Sequence, residues 1–136
     1  MLLHATCITV EGHGVLITGP SGCGKSDLAL RLMEGGAQLV SDDQVELEAE
    51  NSHLVASCPA AIRGLIEARH VGLLRVPFVE TCRLFLLLEP GRGERLPEPA
   101  KKMLQGIELP CLKLPYLEAS TPAKIMFYLQ QKERLA

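Results

Sequence analysis

Tryptophan is absent from this 136-residue chain, and the other aromatics amount to three phenylalanines and two tyrosines. With so few rings to stack on bases, no basic stripe and a formal net charge of −2, a nucleic-acid partner held by phosphate neutralisation is not expected. Long apolar runs are lacking too. The longest, Leu84-Phe85-Leu86-Leu87-Leu88, is far short of the roughly 20 residues that span a bilayer, so no membrane partner is expected. No basic stretch opens the chain, and Glu11 soon follows Met1-Leu2-Leu3-His4-Ala5-Thr6, so the start does not read as a signal peptide. The five cysteines (Cys7, Cys23, Cys58, Cys82 and Cys111) contain no Cys-x-x-Cys pair. Buried free thiols in a cytoplasmic protein are the plain expectation.

What is present is 47% hydrophobic and 22% charged, the composition of one folded domain, expected to span 1–136. There is no internal repeat. Ala5 to Val10 is rich in β-branched residues and reads as a strand, Glu11 to Gly14 as a turn, and Val15 to Thr18 as a second strand. Leu28, Ala29, Leu32 and Met33 recur at helical spacing, and Gly35-Gly36 closes that helix. Gln38 to Val40 and Val45 to Ala49 read as strands, with a hairpin turn at Asn51-Ser52 leading into a partner strand from His53 to Ala56. Ile62 to Val76 is expected to mix helix with turn, and Arg83 to Leu88 to be a strand. Glu89 to Pro99, with three prolines and two glycines, reads as an exposed loop. An extended segment from Leu109 to Leu117 precedes a last helix that starts at Thr121-Pro122. Strand, loop, helix and strand in that order argue for an α/β fold, and the hairpin-like strands for a mixed sheet.

The strongest chemical signal is Gly19-Pro20-Ser21-Gly22-Cys23-Gly24-Lys25-Ser26, entered from a strand and left by an amphipathic helix. Glycines let successive backbone N–H groups turn inward around an anion, and the helix N-terminus adds its dipole. Lys25 can reach the β- and γ-phosphates of a nucleotide, and the Ser26 hydroxyl can coordinate Mg²⁺. Asp42-Asp43 ends a short apolar strand. Two adjacent carboxylates can divide the work, one near the metal and one near an acceptor hydroxyl as general base. Successive strand residues face opposite ways, so bringing both into one site requires an irregular backbone there. The segment from Arg63 to Gly72 reads first as a surface helix with ordinary charges; Glu67 as a metal ligand and Arg69 as a phosphate clamp are the functional alternative. His4 reads as packed or capping before it reads as catalytic.

Taken together, His4, the loop Gly19 to Ser26 with Asp27, Leu39-Val40-Ser41-Asp42-Asp43-Gln44-Val45, and Leu65-Ile66-Glu67-Ala68-Arg69 onward to Val76 resemble the catalytic domain of HPr(Ser) kinase/phosphorylase in its short proteobacterial form. The resemblance runs from about His4 to Lys132. It implies a P-loop fold similar to phosphoenolpyruvate carboxykinase, ATP and Mg²⁺ as cofactors, and phosphorylation of a serine on HPr, the phosphocarrier of the phosphotransferase system. It also implies reversal by inorganic phosphate, a cytoplasmic location and a homo-oligomer, hexameric in the family. Under it Lys25 binds phosphate, Ser26 and Glu67 hold the metal, His4 joins the active site, and one of the aspartates is the base, with Asp43 favoured over Asp42. Arg95 corresponds to a family arginine on a loop near the acceptor protein. The chain departs from the family at His70, where glycine is usual, and at Arg75, where aspartate is usual. It also lacks a Gly-Arg in the stretch Pro115 to Thr121 that the family uses in dephosphorylation. The resemblance to the short form implies a catalytic domain without the family's N-terminal domain. Two other readings stay open, a non-catalytic ATP sensor and a P-loop kinase of a small metabolite.

Overall fold

The central strands are apolar and buried almost throughout, whereas strands nearer the edges, such as His53 to Ser57, alternate buried with partly exposed positions. The computed structural model describes residues 1–135, with side chains to residue 131, so Ala136 of the expected domain lies outside the described residues. In chain order the strands are β1 (Leu2–Leu3), β2 (Thr6–Val10), β3 (His13–Ile17), β4 (Gln38–Ser41), β5 (Val45–Glu50), β6 (His53–Ser57), β7 (Leu65–Ala68), β8 (Gly72–Arg75), β9 (Thr81–Pro90), β10 (Ala100–Leu104) and β11 (Ile107–Leu114). The helices are α1 (Lys25–Glu34) and α2 (Thr121–Leu135). No helix among the described residues is long and apolar enough to cross a membrane.

Nine strands form one mixed sheet in the order β1-β5-β6-β9-β3-β2-β4, with β11 also on β9 and β10 beyond it. The centre is β9. It runs parallel to β3 and β11 and antiparallel to β6, and its Leu84 to Leu88 stretch is buried on both faces except at Phe85, as a central strand of a two-sided sheet should be. The expected mixed α/β architecture is therefore the one observed.

Each face of the sheet has its own core. Ile8, Val15, Ile17, Leu86 and Leu88 pack against Leu28 and Leu32 of α1 and Ile125 and Leu129 of α2. On the opposite face the sheet curls over Cys7, Leu16, Val40, Leu47, Leu54, Leu84, Leu87 and Leu109. The five cysteines are unbonded, with Cys7, Cys58 and Cys111 buried.

The segment after Pro59 corrects the sequence-based expectation of helix. Ala60–Ile62 form a single 3₁₀ turn, and β7 and β8 then pair as an antiparallel hairpin. Ile66 and Ala68 are buried while Glu67 is exposed. This is the period of two that makes a strand. Gly64, at φ +74, bends the chain into β7, where a Cβ would meet Phe78 Cδ1 at 2.8 Å. Further on, β9 extends through Pro90, two residues into the segment read as loop, and Ala100 starts a strand not foreseen in the sequence.

Candidate active site

Strand β3 ends at Ile17, and the chain turns through the glycine loop into α1. Gly19, Gly22 and Gly24 all have positive φ (137°, 83° and 101°), conformations that side-chain-bearing residues rarely adopt. Gly24 occupies the helix N-cap and no side chain caps the helix, so the N–H groups of the first turn are left for an anion. Lys25 is buried, and its Nζ donates to the carbonyls of Gly19 at 2.8 Å and Pro20 at 3.0 Å. The ammonium is thus folded over the loop that would hold phosphate. Behind it, Tyr116 is buried and its hydroxyl donates to the Thr18 carbonyl at 2.7 Å. Burial raises the Tyr116 phenol well above its ordinary value, so it is a neutral strut under the loop.

The two aspartates are held in different ways. Asp42 is buried. Its Oδ1 accepts from Ser26 Oγ at 2.7 Å and from Thr6 Oγ1 at 2.8 Å, and its Oδ2 accepts from the Glu67 backbone N–H at 3.0 Å. Asp43 is exposed and sits at φ +74, and the next residue closes a tight turn in which Gln44 N donates to the Asp42 carbonyl at 2.9 Å. That is the irregular backbone the paired carboxylates require. It swings Asp43 toward the same opening, where His4 Nε2 lies 2.8 Å from Asp43 Oδ1.

A cavity of about 520 Å³ gathers these groups. His4, Lys25, Ser26, Asp43, Glu67 and Arg69 line it, together with Ser21, Gly22 and Gly24 of the loop and His70 and Val71 of the β7–β8 turn. Gly19, Pro20 and Cys23 belong to the loop without lining the cavity. Asp42 stays beneath Ser26. Arg95 is set apart from this cavity, on the exposed 92–99 segment.

Three positioning residues have no signature in the sequence. Thr6 reads as any β-branched strand residue, yet it supports Asp42. Leu117 ends a segment expected only to be extended, yet it lines the cavity and lies against Gly24, where its Cδ2 would be 2.8 Å from an added Cβ. Arg31 pairs with Asp27 at 3.0 Å, and its guanidinium also donates to the carbonyls of Tyr116 and, at 3.1 Å, Glu118. This ties α1 to the segment that carries Leu117. Among the described residues no three His, Cys, Asp or Glu side chains form a metal cage. Ser26, Asp42 and Glu67 nevertheless supply the hard oxygen donors that suit Mg²⁺, which keeps much of its shell in water and substrate phosphate.

A protein-family model described as "HPr Serine kinase C-terminal domain" matches residues 1–79, which is more than half of the chain and includes the loop, both aspartates and Glu67. The chain belongs to this family. HPr kinase/phosphorylase from Clostridium tetani is 43% identical over 75 residues, and that from Listeria welshimeri 45% over 75 residues. The matched part spans about a quarter of the length of these curated relatives, 25% and 24%. The match to a solved structure is broader. The Hpr(Ser) kinase/phosphatase from Coxiella burnetii superposes with a TM-score of 0.84 at 30% identity, covering 99% of this chain and 97% of that one. The likeness therefore extends through β9, β11 and α2, beyond the residues that the family model matches.

Proposed function

We propose that residues 1–136 act as a single catalytic domain, an ATP- and Mg²⁺-dependent serine protein kinase whose acceptor is an HPr-type phosphocarrier protein. The observation that carries this reading is the unequal treatment of the two aspartates. Asp42 is locked under the loop hydroxyl, and Asp43 is exposed on the cavity beside His4. One carboxylate is thus committed to the nucleotide side, and the other is open to a hydroxyl arriving from solvent.

In this mechanism the loop N–H groups and Lys25 hold the β- and γ-phosphates, and Lys25 exchanges its carbonyl partners for phosphate oxygens. Bound Mg²⁺ would supply positive charge against the negative charge that develops on the phosphates. Ser26 and Glu67 are the side chains assigned to hold it, with Asp42 orienting Ser26 from below. Asp43 takes the proton of the acceptor serine as its oxygen bonds to the γ-phosphorus and the bond to the β–γ bridging oxygen breaks, releasing ADP. His4 fixes the rotamer of Asp43 through their hydrogen bond. Arg69 is assigned to the transferring phosphoryl group. Arg95, away from the cavity, is assigned a contact with the acceptor protein instead. Orientation and charge neutralisation lower most of the barrier, and the aspartate adds roughly 10²–10⁴-fold.

The test is incubation of the chain with ATP, Mg²⁺ and an HPr-type protein, reading phosphoserine by mass spectrometry and repeating with inorganic phosphate to look for reversal. Phosphoserine that disappears in Asp43→Asn supports the reading. Tight Mg-ATP binding with no transfer would instead make the chain a nucleotide sensor, and transfer to small hydroxylated metabolites alone would make it a metabolite kinase. The reading carries with it a cytoplasmic homo-oligomer, which sizing by light scattering checks directly.

A further inference from the structure

A second cavity, of about 220 Å³, opens at the other pole of the sheet. Its lining includes His13 at the start of β3, His53 at the start of β6, Arg83 and Phe85 of β9, and apolar walls from Leu109 and Leu129. Phe85 and Pro90 are five residues apart on β9, and Pro90 Cγ packs within 2.8 Å of the Cβ position of Gly19. At about 3.3 Å per residue the two sites are thus roughly 16 Å apart along one strand.

The polar groups here are organised around one ring. The Arg83 guanidinium lies 4.8 Å from the centre of the Phe85 ring, which holds the cation at the cavity edge at little entropic cost. His13 meets the same ring edge-on, with centroids 4.7 Å apart. Its Nδ1–H donates to the Val10 carbonyl at 3.1 Å, which leaves Nε2 for another partner. His53 Nδ1 is shielded from solvent and has no hydrogen-bond partner, an unmet polar atom in the cavity wall that costs free energy. The one carboxylate in the lining, Glu108, lies 3.9 Å from Lys101 Nζ. Among the described residues no carboxylate pairs with Arg83. A cation, two imidazoles and an apolar floor are the complement of an anion with an apolar body.

We propose that this cavity is a binding site for a small organic anion, with its carboxylate or phosphate group on Arg83, His13 and His53 and its apolar part against Leu109 and Leu129. The volume is below the roughly 300–1,000 Å³ of sites for drug-sized ligands, so the ligand is small. The site is separate from the glycine-loop cavity and does not depend on the kinase reading.

The four histidines of the chain report on both cavities at once, because His4 and His70 line the first and His13 and His53 the second. Histidine-labelled protein is titrated with benzoate and separately with phenyl phosphate, and the ring signals are followed by NMR. Benzoate is expected to shift His13 and His53 saturably and leave His4 and His70 in place, whereas phenyl phosphate shifts all four. A saturable response at His13 and His53 to phenyl phosphate alone also supports the site and assigns it to phosphate. Arg83→Gln removes one charge-assisted hydrogen bond and should weaken the His13 and His53 response about tenfold or more. Phe85→Leu, which removes the platform and keeps the charge, should weaken it less. No saturable shift at His13 and His53 with either probe, or equal affinity in Arg83→Gln, overturns the proposal.

Discussion

Ser26 Oγ donates to Asp42 Oδ1 at 2.7 Å, and the neighbouring Asp43 turns its carboxylate away to His4. Two adjacent residues of one chemical type therefore have separable physical roles. Asp42→Asn should destabilise the fold by about 1–3 kcal/mol, because an amide cannot accept all three hydrogen bonds without turning a donor toward one of them. Asp43→Asn should change stability by less than about 0.5 kcal/mol, since the site is exposed and asparagine tolerates a positive φ. Phosphotransfer should nevertheless drop roughly 10²–10⁴-fold in Asp43→Asn if the carboxylate is the base. Urea melts of both variants beside a transfer assay decide the matter. Equal destabilisation by the two changes would contradict the division.

This division was only half legible in the sequence. The glycine loop, the strands flanking it and α1 could be read because their patterns are local: a spaced glycine set, β-branched runs and an apolar stripe at helical spacing. The paired aspartates could be read as candidates, but their assignment depends on the left-handed backbone at Asp43 and on Thr6, whose partner is 36 residues away. The β7–β8 hairpin is not legible in the sequence for a related reason. Its alternation covers only Leu65 to Ala68, and a strand that short resembles a turn of helix until its partner is known. Arg31 shows the same limit, since its bonds to the carbonyls of Tyr116 and Glu118 lie across the fold.

Gly24→Ala places a side chain where φ is +101° and where Leu117 Cδ2 would be 2.8 Å away. The backbone cost alone is about 1–3 kcal/mol, and relief requires the first turn of α1 or Leu117 to move. The expected outcome is a lower melting temperature together with loss of nucleotide affinity by calorimetry. Gly22→Ala separates the two causes, because a Cβ there meets nothing within 4 Å and only φ +83° opposes it. Retained affinity in Gly24→Ala would show that the loop does not set the anion cradle.

Arg31→Met should loosen the segment that carries Tyr116 and Leu117 while keeping the aliphatic packing of the stem. It removes the guanidinium hydrogen bonds to the carbonyls of Tyr116 and Glu118 and the pairing with Asp27. Faster hydrogen exchange across residues 115–121, with little change in β2 and β3, is the expected signature. If exchange there is unaltered, Arg31 is an ordinary surface residue.

Glu89, near the end of β9, is hydrogen-bonded by Lys102 of β10. That hydrogen bond, against the opposing effect of burial, lowers the Glu89 carboxyl below its ordinary value. A carboxyl whose pKa is lower folded than unfolded binds fewer protons in the folded state. Its stabilising contribution is complete above the unfolded value and fades as pH falls through the lowered one. Lys102→Gln should therefore raise the Glu89 titration toward the ordinary carboxylate range, as read by carbonyl NMR. It should also flatten the acid limb of the stability profile for the β9–β10–β11 edge. The lysine is exposed, so added salt should shrink the difference between the two proteins. An unchanged Glu89 titration in Lys102→Gln would mean that the pair has no hold on this carboxyl in solution.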